Sequence, residues 1–256
     1  MLNIIDLSKS IEHFPHEPRF MRIRVKHSTH SKSKLLIKLL LKLPAKLFPK
    51  GWSGWSNDNI KNLGVHSTTH LDAPWHYDKV CEGKKAKTID EIPLEWCYGA
   101  GIVINMSHKK DFELITLKDI KEDLKRSGAI IEKGTIVLIR TDRDKYIGTK
   151  KYFTHGTGMS AEATEWLIDQ GVKIMGIDQW GWDLPLPYQA QEAKNKNDDK
   201  IFWEAHRVGI NKEYCHLEQM VNLSSLPDYG FIVSVFPLKV KGASAGPVRA
   251  VAILKE

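Results

Sequence analysis

The chain has 256 residues, of which 42% are hydrophobic, so it can bury a substantial core. Its formal net charge of +7 comes from one segment, because residues 19–50 contain ten Lys or Arg and no Asp or Glu. Such a local charge, without a nucleic-acid-binding motif elsewhere, argues against a nucleic-acid partner, and three cysteines without a pairing pattern argue against a disulfide scaffold or thiolate metal site.

The first part of the chain predicts a short apolar opening at 3–8, a proline-rich loop at 14–18 and a basic helix. Lysines recur every fourth residue among leucines, at Lys34, Lys38, Lys42 and Lys46. This spacing predicts an apolar helix with one cationic stripe, interrupted at Pro44. Two interpretations stay open for the basic arm, residues 19–50: a membrane-surface anchor or a flap over the active site, or an arm packed on its own core or on a neighbouring subunit.

From Gly99 onward, strands alternate with helices, a pattern typical of an α/β fold. The predicted strands are 102–105, 135–140, 172–177, 231–240 and 249–254. Thr116 and Gly128 bracket one predicted helix, and Ser160 and Gly171 bracket another, because these residue types favour helix ends. Residues 194–200 predict a polar loop. No apolar run is long enough for stable membrane insertion, and the N-terminus lacks a signal-peptide pattern, so we expect a cytoplasmic protein.

Three histidines and an aspartate lie within eleven residues: His66, His70, Asp72 and His76. Their spacings are even numbers, so an extended strand would place all four side chains on one face, with Pro74 at an edge or at the strand end. Imidazole and carboxylate groups suit zinc, manganese or iron. Three such ligands would leave an open coordination position, which is typical of a catalytic metal site.

The arrangement His-x3-His-x-Asp-x-Pro-x-His resembles the signature of the cyclase-like metal hydrolases, which include bacterial kynurenine formamidase (arylformamidase) and isatin hydrolase. Further segments resemble the same family, at 171–178, 205–207, 218–227 and 242–249. The resemblance implies an α/β fold with a mixed sheet in the swivelling β/β/α arrangement, as one domain over residues 1–256 with the basic arm as an insertion. It also implies a homodimer or homotetramer.

The same resemblance implies a divalent metal cofactor, zinc or manganese, with one or two ions per chain. His66, His70 and Asp72 would hold one ion, Asp72 would reach the second, and His206 and Glu218 would complete the pair. His76 would be the catalytic acid and base. We interpret three other histidines as structural, namely His108, His155 and His216.

Six of the eight tryptophans lie in loops near the predicted site segments, which favours an aromatic small-molecule substrate. We predict substrate contacts from Trp75, Trp180 and Trp182. With the resemblance, this indicates a hydrolase of an amide or cyclic amide, such as N-formylkynurenine in tryptophan catabolism.

Three departures from the family pattern leave the substrate open. Thr68 stands where the family has glycine, residues 179–182 carry bulkier side chains, and the early Pro-Gly loop is replaced at 14–16. Three alternatives therefore remain: a lactone or imide hydrolase, a cyclase or lyase that stabilises an enolate, and a non-enzymatic membrane-surface module that uses the lysine stripe.

Overall fold

The computed structural model describes residues 2–255, which divide into two compact units. The larger unit consists of the residues up to Ser10 and those from Val65 onward, and the smaller unit is Ile11–Gly64. The smaller unit includes the whole basic arm. The prediction of one domain with the arm as an insertion stays a prediction.

The regular elements are numbered here in chain order. The strands are β1 (Leu2–Asp6), β2 (Arg24–Lys26), β3 (Asn59–Lys61), β4 (His70–Asp72), β5 (Val80–Cys81), β6 (Lys84–Lys85), β7 (Tyr98–Asn105), β8 (Leu114–Ile115), β9 (Ile136–Arg140), β10 (Gly158–Met159), β11 (Ile174–Ile177), β12 (Cys215–Glu218), β13 (Tyr229–Ser234), β14 (Ala245–Pro247) and β15 (Val251–Lys255). The helices are α1 (His30–Leu40), α2 (Pro74–Tyr77), α3 (Leu117–Ser127), α4 (Lys151–Thr154), α5 (Ala161–Asp169) and α6 (Leu186–Lys196).

The smaller unit consists of the antiparallel pair β2–β3, helix α1 and connecting loops. Helix α1 ends at Leu40, so the predicted lysine stripe does not continue to Lys46, and Lys42 has a left-handed backbone. Only Ser33 and Ile37 of this helix are buried. Its leucines are exposed, by between 49% and 74%: Leu35, Leu36, Leu39 and Leu40.

Within the described residues, nine strands of the larger unit form one mixed sheet in the order β1-β15-β13-β7-β9-β11-β12-β4-β14. The central strands β7, β9, β11 and β12 run parallel, and the strands on both sides of them are antiparallel. The central strands β9 and β11 are buried and apolar on both faces, as expected when parallel strands are covered on both sides, whereas β12 has polar residues on one face. Helices α3 and α5 pack on one of these faces, where Ile120 and Leu167 join the core.

The two capped helices are confirmed. Thr116 accepts a hydrogen bond from the backbone N–H of Asp119, and Gly128 ends α3 in the left-handed conformation. Ser160 caps α5 in the same way through the N–H of Ala163.

Two element predictions are wrong in part. The strand predicted at 231–240 ends at Ser234, and Pro237, which has no backbone N–H, lies within the rest of that range. The loop predicted at 194–200 begins inside α6, because that helix continues to Lys196 and ends at Asn197 in the left-handed conformation. Among the described residues, no helix combines the length and apolarity needed to cross a bilayer.

Candidate metal centre

The pairing of β4 with β12 brings together residues that are far apart in the sequence. His70 lies opposite Glu218, and Asp72 lies opposite His216. Residues directly opposite each other in an antiparallel pair share a face, so these four side chains all point to one side of the sheet. Leu71 and Leu217 alternate with them and point into the core on the other side.

The histidine-rich segment is extended only over β4, so a single extended strand is not what places these four side chains together. His66 lies in a turn, and Pro74 begins helix α2 because proline is well suited to a first helical position. The fold nevertheless brings the predicted residues together. The ring centroids of His66 and His76 are 4.2 Å apart, and those of His66 and His70 are 4.8 Å apart.

Backbone and side-chain acceptors orient two of the predicted ligands. The carbonyl oxygen of Thr68 lies 2.7 Å from His70 Nδ1, which leaves His70 Nε2 facing Asp72 Oδ1 at 3.2 Å and Glu218 Oε2 at 3.7 Å. Asp183 accepts hydrogen bonds from the backbone N–H groups of Ala205 and His206 and contacts His206 Nδ1. His206 Nε2 then lies 3.5 Å from Glu218 Oε1.

Asp183 is a site residue that the sequence analysis missed. It buries its carboxylate beside His206, and such an acceptor fixes which imidazole nitrogen is free to bind a metal. It precedes His206 by 23 residues, so no local spacing links the two. Only the fold brings them into contact.

His216 is the second residue missed, because the sequence analysis interpreted it as structural. Its Nε2 lies 3.2 Å from Asp72 Oδ2 and 3.2 Å from Glu218 Oε1, and its Nδ1 lies 3.0 Å from the Tyr77 hydroxyl. A signal was present in the sequence. His216 precedes Glu218 by two residues, which is the spacing of side chains that share one face of a strand.

The ligand-type atoms form two groups that share Asp72. The inner group is Asp72, His206, His216 and Glu218, and the outer group is His66, Asp72 and His76; within each, the ligand atoms lie within 4.8 Å of one another. The two oxygens of Asp72 point in different directions. Oδ1 lies 2.8 Å from His66 Nδ1, whereas Oδ2 faces His216. This arrangement provides two adjacent positions for cations.

Three buried polar atoms at the centre test whether these residues fit a metal ion. Among the described residues, His70 Nε2 and both carboxylate oxygens of Asp72 have no hydrogen-bond partner of acceptable geometry. Burying such atoms unsatisfied costs about 1–3 kcal/mol each, and more for charged groups. A divalent cation accepts these nitrogen and oxygen donors directly, so the residues fit such an ion.

The pKa shifts of the residues at the centre agree with that fit. Burial alone would lower the pKa of His216, but the carboxylates of Asp72 and Glu218 outweigh burial and raise it to about 9. The pKa of His70 is raised in the same way, mainly by Asp72 against burial. Burial acts to raise the pKa of Asp72, but His70, His76 and His66 lower it overall. Protons thus supply positive charge between the carboxylates, which a metal ion would replace.

The pKa of His76 is shifted in the opposite direction to those of His70 and His216. Burial lowers its pKa to about 3, against the opposing charge of Asp72, and the nearby His66 and His206 lower it further. The imidazole is therefore neutral at physiological pH. It is also half-buried, so it lies between the inner cluster and the molecular surface.

The three predicted substrate-binding tryptophans occupy different environments. Trp182 is fully buried, its Nε1 donates a hydrogen bond to Thr164 Oγ1, and its ring stacks on His216 at 5.1 Å. This placement does not fit a direct contact with substrate. Trp180 packs edge-on against Phe153. Trp75 precedes His76 in α2 and is 37% exposed.

Trp203 forms an aromatic wall of the site. Its ring lies parallel to that of His206 at 4.5 Å and meets the ring of His76 edge-on at 5.2 Å. Trp203 also has a left-handed backbone with φ of 61°, which is uncommon for a bulky residue. The structure therefore places Trp203, rather than Trp182, beside the candidate acid–base residue.

The sequence model of the Cyclase family matches residues 5–184. The chain belongs to the Cyclase family. This Cyclase-family protein is 28% identical over 202 residues to isatin hydrolase from Roseibium aggregatum, covering 75% of this chain and 73% of the relative. It is 27% identical over 212 residues to kynurenine formamidase from Bacillus cereus, covering 80% and 83% of the two chains.

The solved structure of isatin hydrolase A from Labrenzia aggregata, bound to benzyl benzoate, shares the fold of this Cyclase-family protein. The two align with a TM-score of 0.74 at 24% identity, over 100% of this chain and 94% of the other. The predicted resemblance and the predicted α/β fold with a mixed sheet are both confirmed.

Proposed function

We propose that this Cyclase-family protein is a metal-dependent hydrolase that cleaves an amide or cyclic amide bond in a small aromatic molecule. One observation carries the proposal: the buried, unpartnered ligand atoms of His70 and Asp72 lie next to the neutral His76. The relatives named isatin hydrolase and kynurenine formamidase support hydrolysis as the reaction.

His66, His70 and Asp72 would hold one divalent ion, and Asp72, His206 and Glu218 would hold a second. When bound, such an ion polarises a carbonyl group and makes a water molecule acidic enough to lose a proton near neutral pH. Asp72 would serve both positions, since one of its carboxylate oxygens faces His66 and the other faces His216. Asp183 keeps Nε2 of His206 directed at the centre by its contact with Nδ1.

His76 accepts a proton from the attacking water and returns it to the leaving nitrogen. A base must be unprotonated before the reaction, and burial keeps His76 in that form. A pKa of about 3 makes the imidazole a weak base, so its protonation by the attacking water depends on the opposing charge of Asp72. The charge of Asp72 stabilises the imidazolium that forms in between.

Trp203 and Trp75 would form the aromatic side of the substrate pocket. Trp203 lies flat against His206 and beside His76, so a planar substrate could stack there with its carbonyl group near the ligands. This geometry supports an aryl amide, a formanilide or a cyclic amide such as isatin.

We also propose the identity of the metal ion, the metabolic pathway, the oligomeric state and the cellular compartment. Imidazole and carboxylate donors support zinc or manganese, and N-formylkynurenine, in tryptophan catabolism, is the formamide favoured by the relatives' names. We propose a homodimer or homotetramer, supported by exposed apolar side chains on one face of the sheet, including Leu2 and Ile4. Three buried free cysteines support the reducing cytoplasm.

The test is turnover by protein loaded separately with zinc and manganese, in ¹⁸O-labelled water, with an aryl formamide, a cyclic amide and an aryl lactone as substrates. We expect metal-dependent cleavage of an amide with one labelled oxygen in the product. Asp72→Asn serves as the inactive control. A product without the label would indicate a lyase or cyclase instead, and no turnover by fully loaded protein would overturn the proposal.

The aromatic wall has its own test within the same assay. Trp203→Leu should raise KM for an aryl formamide by about 2- to 13-fold, because a stacked aromatic contact contributes about 0.5–1.5 kcal/mol beyond its buried area. The KM for a small aliphatic formamide should change much less. Equal effects on both substrates would contradict the stacking role.

A further inference from the structure

The inner group contains one nitrogen ligand more than the site requires for the proposed reaction. We infer that His216 is a metal ligand, and that with Asp72, His206 and Glu218 it surrounds the inner ion with four protein ligands. This inference rests on the metal-binding part of the proposed function. It assigns different roles to the two metal positions: the inner ion is permanent and structural, and the outer one is catalytic.

The ligand atoms of the inner group are spaced as they would be around one metal ion. Ligands about 2.0–2.1 Å from a tetrahedral ion lie about 3.3 Å from one another. His216 Nε2 lies 3.2 Å from Asp72 Oδ2 and 3.2 Å from Glu218 Oε1, and His206 Nε2 lies 3.5 Å from Glu218 Oε1. These three separations match three of the six edges of a coordination tetrahedron, and all four ligand atoms lie within 4.8 Å of one another.

The surroundings of His216 fix its orientation toward that position. Its ring stacks on those of Trp182 and Tyr77, and its Nδ1 lies within hydrogen-bond distance of the Tyr77 hydroxyl. A histidine that ligates a metal characteristically has its other ring nitrogen held by such a partner. The N–H of Trp182 also donates a hydrogen bond to Glu218 Oε1, which fixes the neighbouring carboxylate.

The two metal positions differ in how far their ligands are exposed to solvent. The four residues of the inner group are between 0% and 7% exposed, whereas the side chain of His66 in the outer group is 28% exposed. A closed position with four protein ligands is typical of structural zinc, and a catalytic site keeps one position open. Water and substrate therefore reach the centre on the outer side, beside His66 and His76.

The experiment measures metal retention, not activity. Wild-type protein loaded with zinc is dialysed against a weak chelator such as citrate, and the remaining zinc per chain is measured by elemental analysis. We expect the wild type to keep one of two ions, His66→Gln to keep the same one, and His216→Gln to lose both. His155→Gln, the same substitution outside the centre, should behave like the wild type.

Cobalt gives a second readout that needs no variant. Four-coordinate cobalt(II) absorbs visible light far more strongly than five- or six-coordinate cobalt, so the cobalt retained by the wild type should give intense bands. Weak bands would overturn the inference even if His216→Gln failed to fold. Tyr77→Phe should keep the intense bands and weaken retention by about 10–100-fold, as expected for loss of an orienting partner.

The remaining outcomes separate this inference from the proposed function. Retention of the ion by His216→Gln at the wild-type level would show that His216 only pairs with the carboxylates, whatever the activity of the enzyme. If His216→Gln loses the ion and the metal-loaded wild type hydrolyses no amide, this inference stands and the proposed function is overturned. Failure of the wild type to retain any ion would overturn the inference.

Discussion

His76 is neutral and half-buried, and it lies beside the predicted metal ligand His66. If it transfers the proton, His76→Gln should lower kcat by about 10²–10⁴-fold, the usual contribution of general acid–base catalysis. The metal content should not change, since His70, Asp72 and the inner group remain. Steady-state kinetics and elemental analysis of the same sample check both statements, with His155→Gln as the matched control. Loss of the metal together with activity would reassign His76 as a ligand.

Asp183 is not among the candidate metal ligands but orients one of them, His206. Asp183→Asn would place an amide where a carboxylate now accepts from two backbone N–H groups and contacts His206 Nδ1. The amide oxygen can replace only one of the two carboxylate oxygens, and as a neutral acceptor it holds the ring N–H of His206 more weakly than a carboxylate does. We expect metal affinity to fall by about 10–100-fold.

Competition of the Asp183→Asn variant with a coloured chelator measures that affinity. Asp199→Asn, at an exposed position, is the control for the change in charge. An unchanged affinity would show that packing alone orients His206.

At the level of elements, the site depends on the register between β4 and β12. A shift of one residue would turn His70 and Asp72 toward the core and replace them with Leu71. Leu71 and Leu217 pack in the apolar cluster on the opposite face, so that error would also bury charged groups among apolar ones. The hydrophobic alternation of two short strands therefore positions the metal ligands.

The sequence predicted the elements with strong local signals and missed those defined by long-range contacts. Thr116 and Gly128 gave correct helix ends, because capping depends on neighbouring residues. Pro74 was compatible with either a strand end or a helix start, and the packing around α2 decides for the helix. Helix α6 lacked a clear apolar period, and among its residues only Gln189 is buried.

The same division applies to the site residues. The predicted ligands came from a dense local motif and from a family resemblance, and the structure brings them together. Asp183 has no local relation to His206, and Trp203 was one of several loop tryptophans with no distinguishing pattern. His216 could have been recognised from its spacing to Glu218, provided that 215–218 had been predicted as a strand.

Asp178 joins two adjacent strands through a buried carboxylate. It follows β11 and accepts hydrogen bonds from the N–H and hydroxyl of Thr141 and from the N–H of Asp142, just after β9. Burial raises its pKa from 3.8 to about 7, despite these hydrogen bonds, which act to lower it. Between those pH values the folded chain therefore keeps a proton that the unfolded chain has lost.

The sign of the effect follows from that difference in bound protons. The contribution of Asp178 to the free energy of unfolding is fully present below about pH 4 and falls by a few kcal/mol as the pH rises to about 7. Asp178→Asn should abolish this dependence. Urea unfolding of metal-free wild type and of Asp178→Asn measures the free energy of unfolding at each pH between about 4 and 7. The difference between the two proteins is the contribution of Asp178. A constant difference between the two would contradict a protonated Asp178.

For the whole molecule, metal binding and folding stability should be linked. The centre draws its ligands from two distant segments of the larger unit, 66–76 and 206–218, so the unfolded chain has no comparable site. An ion that binds only the folded state at a free concentration of 1,000 times its Kd stabilises it by about 4 kcal/mol. For a chain of this size, that corresponds to a rise in Tm of roughly 10 °C.

Thermal unfolding with and without a strong chelator measures this rise. Without an ion, His70 Nε2 and the two carboxylate oxygens of Asp72 are buried with no hydrogen-bond partner, so their unfavourable burial adds to the loss of ligand binding. Asp72→Asn should have nearly the same Tm in both conditions, because it removes the carboxylate shared by both positions. A wild-type Tm that does not respond to chelation, in protein shown to contain metal, would mean that the ions bind a centre already stable without them. In that case the protons on His216 and His70 would be sufficient to compensate the carboxylates, and the metal would serve the reaction alone.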